Sequence, residues 1–500
     1  MKINKVYILC LILGILSCFR IIRPGFFSVA DEMHVFRLEQ FHKCIVDFQI
    51  PCRYVPDAGF GYGYPLFNFY APFFYTFAEI FHLIGFDFVT SIKIVLILTK
   101  LIGSFGMYFL TSSFLATSLF VFAPYQATNL FVRGAFPELL ALNLIPWVFY
   151  FFKKKHYFYS TIFLAILLLT HSLTSISILI VLVPYLFFFI KDIKKQITSI
   201  LGAFGLSAFF LLPSFFEKNL TTIQTMTQGY FQYINHFATL SQLFISRTWA
   251  YGASLWGPKD DMSFSVGLLQ WLIPLISLFF IKKSKNKIQT IFLTIFALFF
   301  LFLTHNKSTF IWQMFPFMSF FQFPWRFLGI AIFLLSLISA QFKLNNWLTG
   351  LLVILIISLN IGYFKEDIWY QKYNLPIEKV SGEGLKDYWP NYGKNFPTQY
   401  LSDPLYTKKS NLVTATITID DNKNIMLPVV YFPKMKLFVD SKEHSYSIEE
   451  TYGQIITNLN PGVHELKLVF YDTFIRTLAN YISLASLLFL LPYLWHLKKK

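Results

Sequence analysis

Charge is scarce in this sequence: Asp, Glu, Lys and Arg make up 14% of its 500 residues, against about a quarter in ordinary soluble domains. With 55% hydrophobic residues and 62 phenylalanines, that shortage excludes a soluble globular protein, which has no means of covering so much apolar surface. A bilayer covers it by acting as the apolar solvent. Zinc-ligand spacing, a Walker loop and a dinucleotide fingerprint are all missing. An ATP-driven pump would therefore need a partner to supply its nucleotide module. There is no internal repeat and no low-complexity linker. Only four cysteines occur. Cys10 and Cys18 lie in the first apolar run, while Cys44 and Cys52 lie in the first long loop, either paired or free.

The formal net charge of +16 first suggests nucleic acid or an acidic substrate. Its distribution argues against both. Apolar runs of roughly 14–20 residues recur along the chain, the length scale of membrane spans. The short gaps between several of them carry Lys2 and Lys5, Lys153–Lys155, Lys191, Lys194 and Lys195, Lys282, Lys283, Lys285 and Lys287, Lys343, and Lys498–Lys500. These 16 of the 42 basic residues are accompanied by one acid, Asp192, so the rest of the chain holds 26 basic and 25 acidic residues. Excess positive charge confined to short loops marks the cytoplasmic side. No nucleic-acid partner is expected.

Twelve spans place every lysine cluster on one side: near 6–22, 89–110, 112–123, 138–152, 157–170, 173–190, 197–213, 264–281, 288–304, 326–342, 347–363 and 476–495. The first is read as uncleaved. The predicted fold is a polytopic α-helical membrane protein with a C-terminal extracytoplasmic β-sandwich-like domain. It divides into a transmembrane domain over 1–363, with a first outer loop at 23–88, a β-rich domain over 364–474, and a last helix with a basic tail over 475–500. Both termini are expected in the cytoplasm of a cell-membrane protein. Residues 65–85 are apolar but carry Pro65, Pro72 and Glu79, which predicts an interfacial or re-entrant helix. Val413–Ile419 and His464–Phe470 alternate with period two and predict strands.

The sharpest polar cluster follows the first span: Asp31-Glu32-Met33-His34-Val35-Phe36-Arg37. On a helix Asp31 and His34 share a face, with Arg37 close to it. Adjacent acids beside a membrane are suited to a divalent cation such as Mg or Mn, or to general-base work. Further on, Gly59, Gly61 and Gly63 permit tight turns, and Tyr64, Asn68 and Tyr70 offer rings and polar groups to a sugar or headgroup. Ionisable groups near a bilayer are costly and suggest function. Glu79, Arg133, Glu138, His171 and Arg326 all fall at predicted outer ends of spans. An Arg133–Glu138 pair either binds phosphate beside a carboxylate or fixes its loop. Lys93 and Lys100 receive no role.

Taken in order, these segments resemble a family. They are Asp31-Glu32-x-His34, Gly61-Tyr62-Gly63-Tyr64-Pro65-Leu66-Phe67-Asn68-Phe69-Tyr70, Val132-Arg133-Gly134-Ala135, Thr170-His171-Ser172-Leu173, Phe323-Pro324-Trp325-Arg326-Phe327, and Tyr431-Phe432-Pro433 through Asn460-Pro461-Gly462-Val463-His464 to Arg476. The chain resembles the multi-span membrane proteins labelled 6-pyruvoyl-tetrahydropterin synthase-related. It is similar in plan to the membrane glycosyltransferases of the GT-C superfamily. No soluble pterin-synthase pattern or zinc-histidine cluster accompanies that label.

The resemblance implies transfer of a sugar from a polyprenyl-phosphate donor to an envelope glycan, lipid or protein acceptor on the outer face. In that frame Asp31 is the general base, and Glu32 positions it or shares a metal. Arg133, Arg326, His34 and His171 are nominated for the lipid phosphate. The turn Leu110-Thr111-Ser112 departs from the family plan, lacking a basic inner loop. Two rival classes stand beside the enzyme: a transporter or flippase of a lipid-linked glycan, and a non-catalytic scaffold of envelope assembly. The placement of costly residues at span ends, rather than through mid-bilayer, favours the enzyme.

Overall fold

The computed structural model describes residues 5–255, 260–374, 376–382, 386–493 and 496. The expected basic clusters at Lys2 and Lys498–Lys500 lie outside them. Helical structure occupies the body of each of the twelve segments read as spans. Among the described residues, four helices are long and apolar enough to cross a bilayer: Phe88–Thr111, Ser172–Phe189, Asn346–Tyr363 and Phe474–Tyr493. The number rises to six if two bent pairs each count as one span, Ile193–Leu206 with Ala208–Phe216 and Lys287–Leu303 with Asn306–Met314. Little of Asn346–Tyr363 or Phe474–Tyr493 is covered by protein. Side chains such as Ile354 and Phe489 stand exposed on them, as apolar groups do against lipid.

Local chemistry sets the helix ends. Asp87 accepts the Thr90 N–H at 2.9 Å and starts the helix Phe88–Thr111, satisfying one of the free first-turn donors. Ser112, left-handed at φ 53°, ends that helix, and Ser113 caps the next one. A two-residue reversal thus joins these helices, in keeping with the short Leu110-Thr111-Ser112 turn read from the sequence. The chain then continues as a broken helix: Phe114–Val121, Pro124–Ala127, and a π turn, Thr128–Val132. Every residue from Leu115 to Val132 is buried. The π turn delivers Arg133, whose N–H reaches back to Thr128 O at 2.8 Å. Single π turns recur at functional sites.

The first loop packs against the C-terminal third of the chain. Phe26–Phe27 pairs antiparallel with Trp369–Tyr370. The Gly59–Tyr64 stretch runs beside Val430, whose N–H donates to Tyr62 O at 2.8 Å. Gly63 sits at φ 83°, and a Cβ there would lie 2.2 Å from the Tyr54 hydroxyl. The glycine is thus needed for close approach as well as for the turn. Cys44 and Cys52 form a disulfide.

Strand structure matches the period-two reading. Leu412–Ile419 and Gly462–Phe470 are antiparallel neighbours, with Leu466 opposite Ala415. They belong to a five-stranded sheet, and a three-stranded sheet accompanies it. The β-rich part spans 407–470, while the described residues of 364–406 are mostly irregular. A buried ion cluster ties these parts together. The Glu217 carboxylate accepts Asn68 Nδ2 at 2.8 Å and Arg476 Nε at 2.9 Å. Arg53 donates to Asn68 Oδ1 at 3.2 Å and meets Asp472 at 3.2 Å. The first loop, the end of helix Ala208–Phe216 and the start of the last helix are thereby joined.

Candidate functional site

Segments remote in sequence meet around a cavity of about 760 Å³, a volume suited to a substantial ligand. Asp31, Glu32, Arg37, Tyr70, Arg133, Glu138, His171 and Arg326 all line it. The remaining sequence candidates do not. His34 is buried beneath the wall, its ring nitrogens facing the Tyr75 hydroxyl at 2.9 Å and Gly134 O. The Tyr64 hydroxyl accepts the Tyr388 N–H at 2.8 Å. Asn68 is held in the Glu217 cluster. Glu79 is buried and faces His42 Nδ1 at 2.7 Å.

The helix of the Asp31 cluster begins at His34, so Asp31 precedes it and does not share its face as a helical residue. The geometry is nevertheless close. Arg37 Nη1 donates to Asp31 Oδ2 at 2.7 Å, and His34 Nε2 lies 3.6 Å from the same oxygen. Asp31 is fixed from behind as well, its N–H donating to Arg133 O at 3.0 Å. Burial raises the Asp31 carboxyl, but the Arg37 guanidinium and His34 outweigh it and hold it below the usual carboxylate range. Burial brings His34 down to about 4, so its ring is neutral at pH 7.

Opposite lies the Glu138 carboxylate, almost wholly buried at the start of helix Phe136–Lys153. Arg133 Nη1 reaches its Oε2 at 2.9 Å, and Arg326 Nε stands 3.8 Å from the same oxygen. The Tyr125 hydroxyl donates to Oε1 at 2.6 Å. One carboxylate thus anchors two guanidiniums, leaving excess positive charge toward the cavity. Arg133 also lies over the Trp325 ring at 4.5 Å. Gly134 at φ 66° makes the bend after Arg133, where a Cβ would press on Val29 at 2.6 Å.

His171 caps helix Ser172–Phe189, with Nδ1 accepting the Thr174 N–H at 3.3 Å. In the neutral ring Nε2 then carries the hydrogen. Burial lowers His171 to about 4. Arg326 donates to Phe321 O at 2.9 Å and to Gln322 Oε1 at 3.0 Å. Gln322 itself is left-handed, at φ 62° and ψ −51°, and Phe323 N–H closes back to Phe321 O at 2.6 Å. This is a strained three-residue turn, held at the cavity wall.

Sequence reasoning passed over Lys218, Gln322, Asp387 and Tyr388, which also line the cavity. Lys218 follows Glu217 at the end of an apolar helix, so the rule that singled out Arg133 and Glu138 applies to it equally. For Gln322, Asp387 and Tyr388 no comparable local signal exists. Among the described residues, no group of three or more His, Cys, Asp or Glu is placed to hold a metal ion. Asp31 has Arg37 as its partner at 2.7 Å.

A family model described as "6-pyruvoyl-tetrahydropterin synthase related domain; membrane protein" matches residues 67–375. The match takes in the Arg133, His171 and Arg326 walls of the cavity and the broken helix behind them. This is a membrane protein. It belongs to the 6-pyruvoyl-tetrahydropterin synthase related family. No curated protein and no solved structure matches the chain.

Proposed function

We propose that the protein is a membrane glycosyltransferase of the GT-C kind, with the twelve-span topology read from its lysines. It transfers a sugar from a polyprenyl-phosphate donor to a hydroxyl of a cell-envelope acceptor on the extracytoplasmic face. One observation carries this reading: Asp31, Arg133, His171 and Arg326, far apart in sequence, line the same cavity.

The chemistry follows from their types. Departure of the lipid phosphate develops negative charge, and positioned cations lower that barrier. Arg133 and Arg326 present guanidiniums suited to phosphate oxygens, and the His171 Nε2–H is a neutral donor beside them. Glu138 keeps the two guanidiniums together before the ligand arrives. A cavity carboxylate then takes the proton of the acceptor hydroxyl, a role the family resemblance gives to Asp31. Apolar side chains such as Leu173 and Phe323 line the same space, as an isoprenoid chain requires.

The test is transfer from a labelled polyprenyl-phosphate sugar into isolated envelope, comparing wild type with Asp31→Ala and Glu32→Ala. The reading expects transfer by wild type and its loss in Asp31→Ala. Undiminished transfer in both variants rules out the catalytic assignment.

A carrier of lipid-linked glycan is favoured by one observation, the buried polar cluster inside the bundle. Lys100 Nζ donates to Val121 O and Gln126 Oε1, each at 3.1 Å, and Asn143 Nδ2 donates to the same Gln126 oxygen at 3.0 Å. Translocation without transfer in vesicles would establish that reading instead.

A further inference from the structure

Asp31, Glu32 and Asp387 line this cavity besides the anchoring Glu138, and Asp31 and Asp387 have contrasting surroundings. Asp31 has its Oδ2 engaged by Arg37 at 2.7 Å, with His34 close by. Asp387 enters from the other side of the chain, on the short turn Lys386–Tyr388, and lines the same space. Its Oδ1 accepts the Thr225 hydroxyl at 3.1 Å. An ionised carboxylate offers about four acceptor positions, so it retains capacity for ligand hydroxyls.

The turn is held from several directions. Tyr388 N–H donates to the Tyr64 hydroxyl at 2.8 Å, and the Tyr388 ring stacks on Phe69 at 5.4 Å. Thr222 N–H donates to Trp389 O at 2.8 Å, and the Thr222 hydroxyl donates to Lys386 O. The conspicuous Tyr64 of the glycine-tyrosine stretch thus serves the cavity indirectly, by pinning the turn that carries Asp387. Such support gives a reacting group a fixed position.

Resting on the glycosyltransferase reading above, we propose that Asp387 is the catalytic base that removes the acceptor hydroxyl proton, while Asp31 orients Arg37 and the surrounding wall. As the acceptor oxygen forms its bond to the anomeric carbon, its O–H proton passes to an Asp387 oxygen. The bond from that carbon to the phosphate oxygen breaks, and its electron pair leaves with the polyprenyl phosphate, which Arg133 and Arg326 hold. Asp387 then releases the proton to water.

The electrostatic surroundings agree with this division. Burial raises the Asp387 carboxyl, with the Thr225 hydroxyl and Arg37 opposing it, whereas Asp31 is held low. Environments that push two carboxyls apart separate their roles, and the less stabilised anion is the stronger base. Among the described residues, the charged and titratable groups around Asp387 are Arg37 from helix His34–Val46, Tyr64 from the first loop, and its neighbours Lys386 and Tyr388. The segment Ile223–Thr227, which supplies Thr225, has no titratable side chain.

The experiment uses full-length protein in vesicles with a labelled polyprenyl-phosphate sugar and isolated envelope acceptor. Asp387→Asn is expected to lower kcat by about 10²–10⁴-fold, the range of a lost general base, with donor affinity unchanged within threefold. Asp387→Glu is expected to restore part of the rate and to displace the acid limb of the pH–rate profile. Tyr64→Phe, which removes the hydroxyl pinning the turn, is expected to lower kcat with the acid limb in place. Normal kcat in Asp387→Asn overturns the assignment while leaving glycosyl transfer intact. So does a rate loss matched by lost donor binding, or an acid limb that follows Asp31→Glu and not Asp387→Glu. Absence of transfer by wild type overturns the glycosyltransferase reading and this inference with it.

Discussion

Arg133 and Glu138 meet at 2.9 Å across the bend that follows a π turn. Arg326 comes to the same carboxylate from the other half of the chain. Removing one member of a buried ion cluster typically costs about 3–5 kcal/mol, because the others stay buried without compensation. Glu138→Ala is therefore expected to destabilise the fold by about that amount, seen as a lower melting temperature in detergent. Glu138→Gln retains a partner for the Tyr125 hydroxyl and is expected to cost less. Melting both variants at one detergent concentration checks the ranking.

Acid is expected to destabilise the fold through two histidines. His34 and His171 are lowered to about 4 in the folded chain, from an ordinary value of 6.5. Between these values the unfolded chain binds more protons than the folded one, so stability falls as pH drops through the window. The contribution is complete above pH 6.5. At pH 5 the loss is about 2 kcal/mol for each histidine. His34→Gln is expected to show a smaller drop in melting temperature from pH 7 to pH 5 than wild type.

Lys100 separates enzyme from carrier. Its Nζ stands at the break of the helix that leads to Arg133 and donates to Val121 O at 3.1 Å. In the enzyme reading Lys100 fixes that break, so Lys100→Met is expected to retain measurable glycosyl transfer with an altered melting temperature. In a carrier the same change abolishes translocation of a labelled lipid-linked glycan. Both are measured in one vesicle preparation.

The lysine pattern gives a prediction about sidedness. In a cysteine-free background, a membrane-impermeant maleimide on intact cells is expected to label Val463→Cys on the β-rich part. It should leave Lys282→Cys unlabelled until the membrane is opened. Both positions are exposed, so accessibility reports the side of the membrane. Labelling of both from one side removes the topology on which an outer-face reaction depends.

Asp31, His34 and Arg37 were legible because a carboxylate, an imidazole and a guanidinium fall within seven residues of one another. Arg133, His171 and Arg326 were legible one by one, through the cost of charge beside a bilayer. Their meeting was not, since it depends on how helices from different parts of the chain pack. Tyr64 was read from its aromatic motif as suited to a sugar, and its hydroxyl accepts a backbone N–H 324 residues away, which the sequence did not signal. Asp387 lies in a polar stretch where one acid looks like another, and its neighbours Thr225 and Tyr64 are distant in sequence. The conformation of Gln322 is imposed by the surrounding fold, and glutamine carries no preference that announces it. The strand pair at 412–419 and 462–470 was readable because period two needs only local alternation.

Photo-crosslinking tests the central claim most directly, using a polyprenyl-phosphate probe with its reactive group beside the phosphate. The account predicts crosslinks to peptides containing Arg133 and Arg326 in wild type, competed by unlabelled polyprenyl phosphate. It also predicts their loss, by at least tenfold, in a folded Arg133→Ala, Arg326→Ala double variant. Crosslinks confined to peptides away from the cavity, or unchanged by the double substitution, would contradict it.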